Sequence, residues 1–185
     1  GAGDDLLRLS AGDGSDHYEL RGGSGADRFV VDLKAVSGAV VSPTALDQVL
    51  DFNAAEGDKL KLLLDIGPES SPVMTHLRWM GQSGIDFASA LGQNAPSQPE
   101  GDFWDLWVHH DATQQLSTLF IDLERDGRIS ANDYMLHVHS ATALTAQDFL
   151  DSLDIPAPLT DGAGDGTLWG GEFLRGDVAA YERFA

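Results

Sequence analysis

The residues of this chain best suited to chemistry are aspartates that recur at a fixed distance behind paired glycines, and that chemistry is capture of a hard cation. In blocks of eleven, residues 1–33 read GAGDDLLRLSA, GDGSDHYELRG and GSGADRFVVDL. Glycines recur at Gly1, Gly12 and Gly23 and again at Gly3, Gly14 and Gly25, and aspartates at Asp5, Asp16 and Asp27. Glycine accepts the backbone angles that let neighbouring carbonyls converge on one point. An aspartate at constant offset adds the charge that an oxygen-ligated cation such as Ca²⁺ requires.

A second constellation lies at Asp122–Asp133. Asp122, Glu124, Asp126 and Asp133 occupy positions 1, 3, 5 and 12 of a twelve-residue stretch, with Gly127 at 6, Arg128 at 7 and Ile129 at 8. That spacing is similar to an EF-hand calcium loop with Asp in place of the final Glu. The residues before it, Leu116–Ile121, read as a strand rather than a helix. A third group, His109, His110, His137 and His139, offers imidazoles on two strands, a pattern more common on a solvated face than at a zinc site.

The elements that must hold these groups follow from alternation. After each repeated Asp come two apolar residues two positions apart: Leu7 and Leu9, Tyr18 and Leu20, Phe29 and Val31. Side chains alternate faces along a strand, so each pair points the same way. Each block is thus a glycine-rich turn followed by a short strand with one wet face, and stacked copies would form coils of a solenoid. Ordinary hairpin turns would not require Gly, Gly, Asp and two apolar residues in one frame three times. Further along, Gln48–Phe52 and Lys59–Leu64 read as strands joined by the turn Asn53–Asp58. Trp104–His110 and Leu116–Leu123 form a hairpin about Asp111–Gln115, and Tyr134–His139 is another strand. Met74–Met80 and Phe87–Leu91 read as short helical turns. Thr145-Ala146-Gln147-Asp148 has capping-box spacing before a short helix over Ala146–Leu153.

These blocks resemble the calcium-binding nonapeptide repeats of RTX proteins, G-G-x-G-x-D-x-U-x. Residues 22–30, GGSGADRFV, match every fixed position, and residues 11–19, AGDGSDHYE, depart only in the first. The eleven-residue spacing lengthens each strand by two, which preserves the buried face. Leu46-Asp47-Gln48-Val49-Leu50-Asp51-Phe52 followed by Glu56-Gly57-Asp58-Lys59-Leu60-Lys61-Leu62 is similar to the segment that follows RTX repeats in serralysin-type proteases, related lipases and the R-modules of mannuronan epimerases. The resemblance implies an all-β fold: a short parallel β-roll over 1–33, a β-rich cap with a few short helices over 34–155, and a Gly/Asp-rich tail over 156–185. It implies one Ca²⁺ site shared by the first and third blocks, with Asp5, Asp27 and backbone oxygens near Gly1–Gly3 and Gly23–Gly25. Asp16, Gly12 and Gly14 of the middle block would need Asp47 and Asp51 or an upstream repeat. The first block opens at its second glycine, so the resemblance also implies a C-terminal piece of a longer secreted protein. Such a piece folds on calcium outside a Gram-negative-type bacterium and carries the signal read by a type I exporter.

Composition bounds the alternatives. Net charge is −19, from 11 Lys+Arg against 30 Asp+Glu, which excludes an electrostatic partner such as nucleic acid. No apolar run approaches a transmembrane length. Cys is absent, so disulfides and thiolate metal sites are excluded. No His precedes a Glu, so no H-E-x-x-H helix exists; Gly81-Gln82-Ser83-Gly84 lacks the spacing of a nucleophile elbow. No catalytic residue is assigned, and any catalysis would belong to an upstream part of the parent. The rival reading is a module for acidic polysaccharide, with Trp79, Trp104, Trp107 or Trp169 as stacking platforms, or the terminal domain of a cell-surface adhesin.

Overall fold

A computed structural model describes residues 1–11, 17–34, 46–65, 76–96, 103–149, 153–154, 159–160 and 167–168. The chain divides into two units, Gly1–Leu153 and Asp154–Ala185. The fold is β-rich. Its strands are β1 (Leu6–Ala11), β2 (Glu19–Leu20), β3 (Arg28–Lys34), β4 (Asp47–Phe52), β5 (Lys59–Asp65), β6 (His76–Gln82), β7 (Phe103–Asp111), β8 (Leu116–Ile121) and β9 (Tyr134–Ser140). A two-residue strand β10 (Leu153–Asp154) spans the boundary between units, and β11 (Leu159–Thr160) pairs antiparallel with β12 (Thr167–Leu168) in the second unit. The helical residues described are two single 3₁₀ turns, Phe87–Ser89 and Ala146–Asp148.

In the first unit, odd and even strands of the N-terminal region sort into different sheets. β1, β3 and β5 form one parallel sheet, with Leu7 opposite Phe29 and Phe29 opposite Leu60, then Leu9 opposite Val31 and Val31 opposite Leu62. β2 pairs parallel with β4, and β4 with β9, placing Leu20 beside Val49 and Val49 beside Val138. The second sheet continues from β9 through β8 and β7, both antiparallel steps, to β6, which lies parallel to β7. The chain therefore passes from one sheet to the other at each successive strand from β1 to β5.

The apolar residues chosen by alternation fill the space between the sheets. Leu9, Phe29, Val31, Leu60 and Leu62 meet Val49, Phe52, Leu106, Leu119, Leu136 and Val138 in one buried cluster, with Phe29 and Phe52 in tilted contact at 6.3 Å. β8 is covered on its other face as well: Phe120 stacks on Phe87 at 4.6 Å within a second cluster that includes Leu46, Ile129 and Met135. Losing a fully buried Phe from such a cluster costs about 3–5 kcal/mol.

Three elements differ from their sequence reading. Residues 76–82 are a strand rather than a helical turn. Leu77 and Trp79 pack into the main cluster, and Arg78 reaches Asp105 on the neighbouring strand at 2.8 Å, a period-two pattern that pairing with β7 selects. The helix expected over Ala146–Leu153 is one 3₁₀ turn, because Phe149 leaves the helical path with ψ 134, forms a bridge with Leu60 and packs on Trp79 at 5.4 Å. The Thr145 capping box is present, with Asp148 accepting the Thr145 amide at 2.7 Å. Tyr18, expected to face inward with Leu20, is 41% exposed. It lies outside the two-residue strand β2, which among the described residues has a neighbour on one side only.

Candidate metal centres

Stacking brings the first and third blocks into direct contact. Ala2 and Ser24 form a parallel bridge, the Gly3 amide donates to the Ser24 carbonyl at 2.8 Å, and the Ser24 amide donates to the Gly1 carbonyl at 3.1 Å. The approach is so close that side chains are excluded. Gly23 and Gly25 have φ of +100° and +128°, and a Cβ at Gly25 would lie 2.5 Å from the Gly3 carbonyl oxygen. A Cβ at Gly22 would overlap the Asp27 carboxylate.

The repeated aspartates form a ladder across the coils. Asp27 Oδ1 accepts the amide of Asp5 at 2.8 Å, and Asp58 Oδ1 accepts the amide of Asp27 at 2.8 Å. Each rung joins the carboxylate of one coil to the backbone of the equivalent residue in the coil before it. Asp58 Oδ2 also takes the Asn53 amide at 2.8 Å, which closes the turn between β4 and β5. Around the rungs, Glu56 accepts the Gly25 amide and Asp4 the Ala26 amide. Asp51 receives the amides of Gly22 and Gly23, both at 3.0 Å, and Asp47 that of Tyr18 at 3.0 Å. Asp51 thus serves the junction of the middle and third blocks, and Asp47 the middle one. Asp16, Gly12 and Gly14 lie outside the described residues.

Electrostatically the ladder is under tension. Asp27 and Asp58 are 0% and 1% exposed. Burial raises the Asp58 carboxyl above its ordinary range, opposed by its two amide donors and reinforced by the charges of Asp27 and Glu56. Burial likewise raises Asp47. Asp27 Oδ2 is buried without a hydrogen-bond partner among the described residues. An unpartnered buried carboxylate oxygen costs of order 1–3 kcal/mol. This oxygen lies against Gly22, and a carboxylate oxygen is a donor that suits a hard cation.

The Asp122–Asp133 loop is built from local bonds. Asp122 accepts the amides of Asp126 at 3.3 Å and Gly127 at 2.9 Å; Asp133 accepts those of Leu123 at 3.0 Å and Ser130 at 2.7 Å. Asp126 accepts the Arg128 amide at 2.8 Å, and Glu124 binds the side chains of Ser130 and Asn132. Arg125 and Gly127 turn the chain with φ of +56° and +72°. Ile129, at loop position 8, exchanges backbone hydrogen bonds with the 92–93 turn, its amide donating to Gln93 at 2.8 Å and its carbonyl accepting Gly92 at 2.7 Å. The Arg125 guanidinium sits 4.7 Å from the Trp104 ring centre, tying the loop to β7. Asp122 and Asp133 are 2% and 0% exposed. Burial, together with the charges of Asp122 and Asp126, pushes the Asp133 carboxyl up to about 7, and burial raises Asp122 as well. An oxygen-only donor set whose members repel one another suits a hard cation here too.

Among the described residues no three acidic or histidine side chains converge as a ready-made metal cage, because these carboxylates turn to backbone amides. The histidines stay apart: His109 and His137 lie in one row across the sheet with Thr118 between them. His109 bonds the Ser83 carbonyl, His110 the Ser117 hydroxyl and His139 the Gln48 side chain.

Sequence reasoning missed Asp58 as a rung and assigned it to a turn. The signal was present: Gly57-Asp58 followed by Leu60 and Leu62 repeats the frame of Asp27, Phe29 and Val31. It also missed the pairing of half-buried Arg78 with buried Asp105, which alternation cannot reveal. Trp79, Trp104 and Trp107 are partly buried and pack against the two core clusters; Trp169 lies outside the described residues. No described helix is long and apolar enough to cross a membrane. No family model matches the chain, and no curated protein is significantly similar to it.

Proposed function

We propose that this chain is a calcium-dependent folding module of an exported protein, in which a short parallel β-roll winds up outside the cell when Ca²⁺ offsets its stacked carboxylates. The observation that carries the reading is the ladder Asp58–Asp27–Asp5, two of whose carboxylates are fully buried, one with an oxygen left unpaired. The alternation of β1 to β5 between two parallel-paired sheets supports the roll. The donors fit calcium: Asp5, Asp27 and the Gly1–Gly3 and Gly23–Gly25 carbonyls at the coil edge, and Asp122, Glu124, Asp126, Arg128 and Asp133 in the loop. When bound, the ion would supply positive charge to carboxylates that otherwise repel in a chain of net charge −19, so binding free energy becomes folding free energy. A chain kept loose in low cytosolic calcium can thread a type I exporter, and the absence of Cys keeps it free of crosslinks on the way. Far-UV circular dichroism and hydrodynamic radius after EDTA, titrated with CaCl₂ and separately MgCl₂, test this. Compaction with gain of β signal in Ca²⁺ alone is expected; a compact, unchanged protein in EDTA overturns it. Export of a reporter fused ahead of Gly1, with and without a type I exporter, tests the secretion arm.

A second reading, binding of an acidic polysaccharide, is favoured by one observation. The register places Leu6, Arg28 and Lys59 in one row, and Arg8, Val30 and Lys61 in the next, on the face of the three-stranded sheet opposite its buried leucines. Four of the 11 basic residues thus share one face, where a groove of about 450 Å³ runs past Asp5, Leu6, Arg28 and Lys59. Retention on an alginate gel that is lost in Arg28→Ala/Lys61→Ala supports this reading, and passage of the unaltered protein through the gel removes it.

A further inference from the structure

Beyond Phe52 and Ser140, the last residues of β4 and β9, lies a cavity of about 120 Å³ that none of the candidate calcium ligands lines. Phe52, Ala54 and Leu144 give it apolar walls, and Ser140 and Asp148 bring polar groups to it. Asp148 is only 8% exposed. One of its carboxylate oxygens, Oδ2, accepts both the amide and the hydroxyl of Thr145, at 2.7 and 2.9 Å. The other, Oδ1, accepts no hydrogen bond among the described residues. Lys59 does not neutralise it: that ammonium bonds the Gln147 carbonyl at 2.8 Å and forms no ion pair with Asp148. A largely buried carboxylate with a free oxygen and no cation is costly to hold, and a ligand that supplies the cation relieves that cost.

Ser140 is the cavity end of a hydrogen-bonded chain. The fully buried Ser117 hydroxyl lies between His110 Nδ1 at 2.9 Å and Ser140 Oγ at 3.1 Å. Each hydroxyl owns one proton. When Ser117 gives its proton to Nδ1, Ser140 donates to Ser117, and the lone pairs of Ser140 are left for a donor in the cavity. We infer that this cavity binds a small primary alkylammonium, whose N–H groups donate to Asp148 Oδ1 and Ser140 Oγ while its alkyl part lies against Phe52, Ala54 and Leu144. A cavity of about 150 Å³ accepts benzene, so this one accommodates a chain of about three carbons and the nitrogen. Ca²⁺ suits it less, because that ion takes about six to eight oxygens and these walls are largely apolar. An anion would face the Asp148 carboxylate.

Nitrogen-15 NMR of the full chain in saturating CaCl₂ tests this, with propylammonium chloride as the probe and 1-propanol, sodium propionate and ammonium chloride as comparators. Saturable shifts centred on the amides of Phe52–Ala55 and Ser140–Asp148 are expected, with affinity for propylammonium about tenfold or more above that for any comparator. Binding should also hold His110 Nδ1 without its proton, read from the ring nitrogen shifts. Asp148→Asn, whose side-chain carbonyl can still accept from Thr145, should weaken binding about tenfold, and Ser140→Ala about threefold. No saturable shift at these residues overturns the inference, as does equal binding of 1-propanol or unchanged affinity in both variants. Equal affinity for the longer Nα-acetyl-lysinamide overturns the choice of a free amine and assigns the site to a lysine side chain.

Discussion

The coil edge and the Asp122–Asp133 loop use the same chemical groups in opposite ways. In the coils, the rungs through Asp27 and Asp58 reach across 22 and 31 residues, so no rung exists until two turns of chain have stacked, although Asp58 also takes the local Asn53 amide. In the loop, every backbone amide bonded to Asp122 or Asp133 comes from within 10 residues. Closing long loops before any contact forms is entropically costly, so under the proposed function the coils are the part whose order would depend on added charge compensation. The loop is set by its own turns, its backbone pairing with Gln93 and Arg125 on Trp104, and its carboxylates are preorganised. A carboxylate ladder thus depends on contacts distant in sequence, whereas the carboxylate loop is set by local ones.

The sharpest break of this contrast is steric. Gly25→Val forces a side chain into the Gly3 carbonyl at a positive φ. It should cost about 3 kcal/mol or more by denaturant unfolding in Ca²⁺, while Gly3→Ala, with open space around it, costs about 1 kcal/mol from φ alone. Next come the rungs. Asp27→Ala orphans the Asp5 amide and should lose about 1–3 kcal/mol, with the loss concentrated in β1 by hydrogen exchange. Asp133→Asn should behave differently, because it removes a buried charge that Asp122 and Asp126 repel. In EDTA above pH 7 the relief of that repulsion is offset by a side-chain NH₂ facing one of the two amides that Asp133 accepts, a cost of about 1–3 kcal/mol. Stability should therefore not rise, and under the proposed function calorimetry should show the loop's share of calcium binding lost.

The pH dependence follows from the same group. Folded Asp133 holds its proton up to about pH 7, whereas the unfolded carboxyl releases it near pH 4. Between those values the folded state binds more protons, so metal-free stability falls as pH rises from about 4 to about 7. Thermal unfolding in EDTA should show that decline, and Asp133→Asn should flatten it. Under the proposed function calcium would compete with the same proton, so its affinity at the loop should weaken as pH falls below 7. The smallest effect belongs to the exposed pair of Arg8 and Asp32. Arg8→Ala should change stability by no more than about 1 kcal/mol, less at high salt.

Much of this was legible in the residues. Alternation located β4, β5, β7, β8 and β9, and the eleven-residue frame anticipated that Leu9, Phe29 and Val31 share a buried face. What alternation cannot carry is partnership. The Met74–Met80 stretch lacks a strong period, and only pairing with β7 and the reach of Arg78 to Asp105 make a strand of residues 76–82. Phe149 belonged to an apparent helix until its bridge to Leu60, a residue far away in sequence, ended it. The aspartate pattern pointed to a cation at Asp5 and Asp27 but not to their backbone amides, because which N–H a carboxylate meets depends on how coils stack.

The most direct test of the account is residue-resolved hydrogen exchange of the whole chain in EDTA and in CaCl₂. In EDTA, the amides of Asp5, Asp27 and β1–β3 should exchange at close to unfolded rates while β7 and β8 keep measurable protection, and Ca²⁺ should protect both regions. Full protection of Asp5 and Asp27 in EDTA, unchanged by Ca²⁺, would contradict it: the ladder would then be a self-sufficient structural device with no role for the ion in folding.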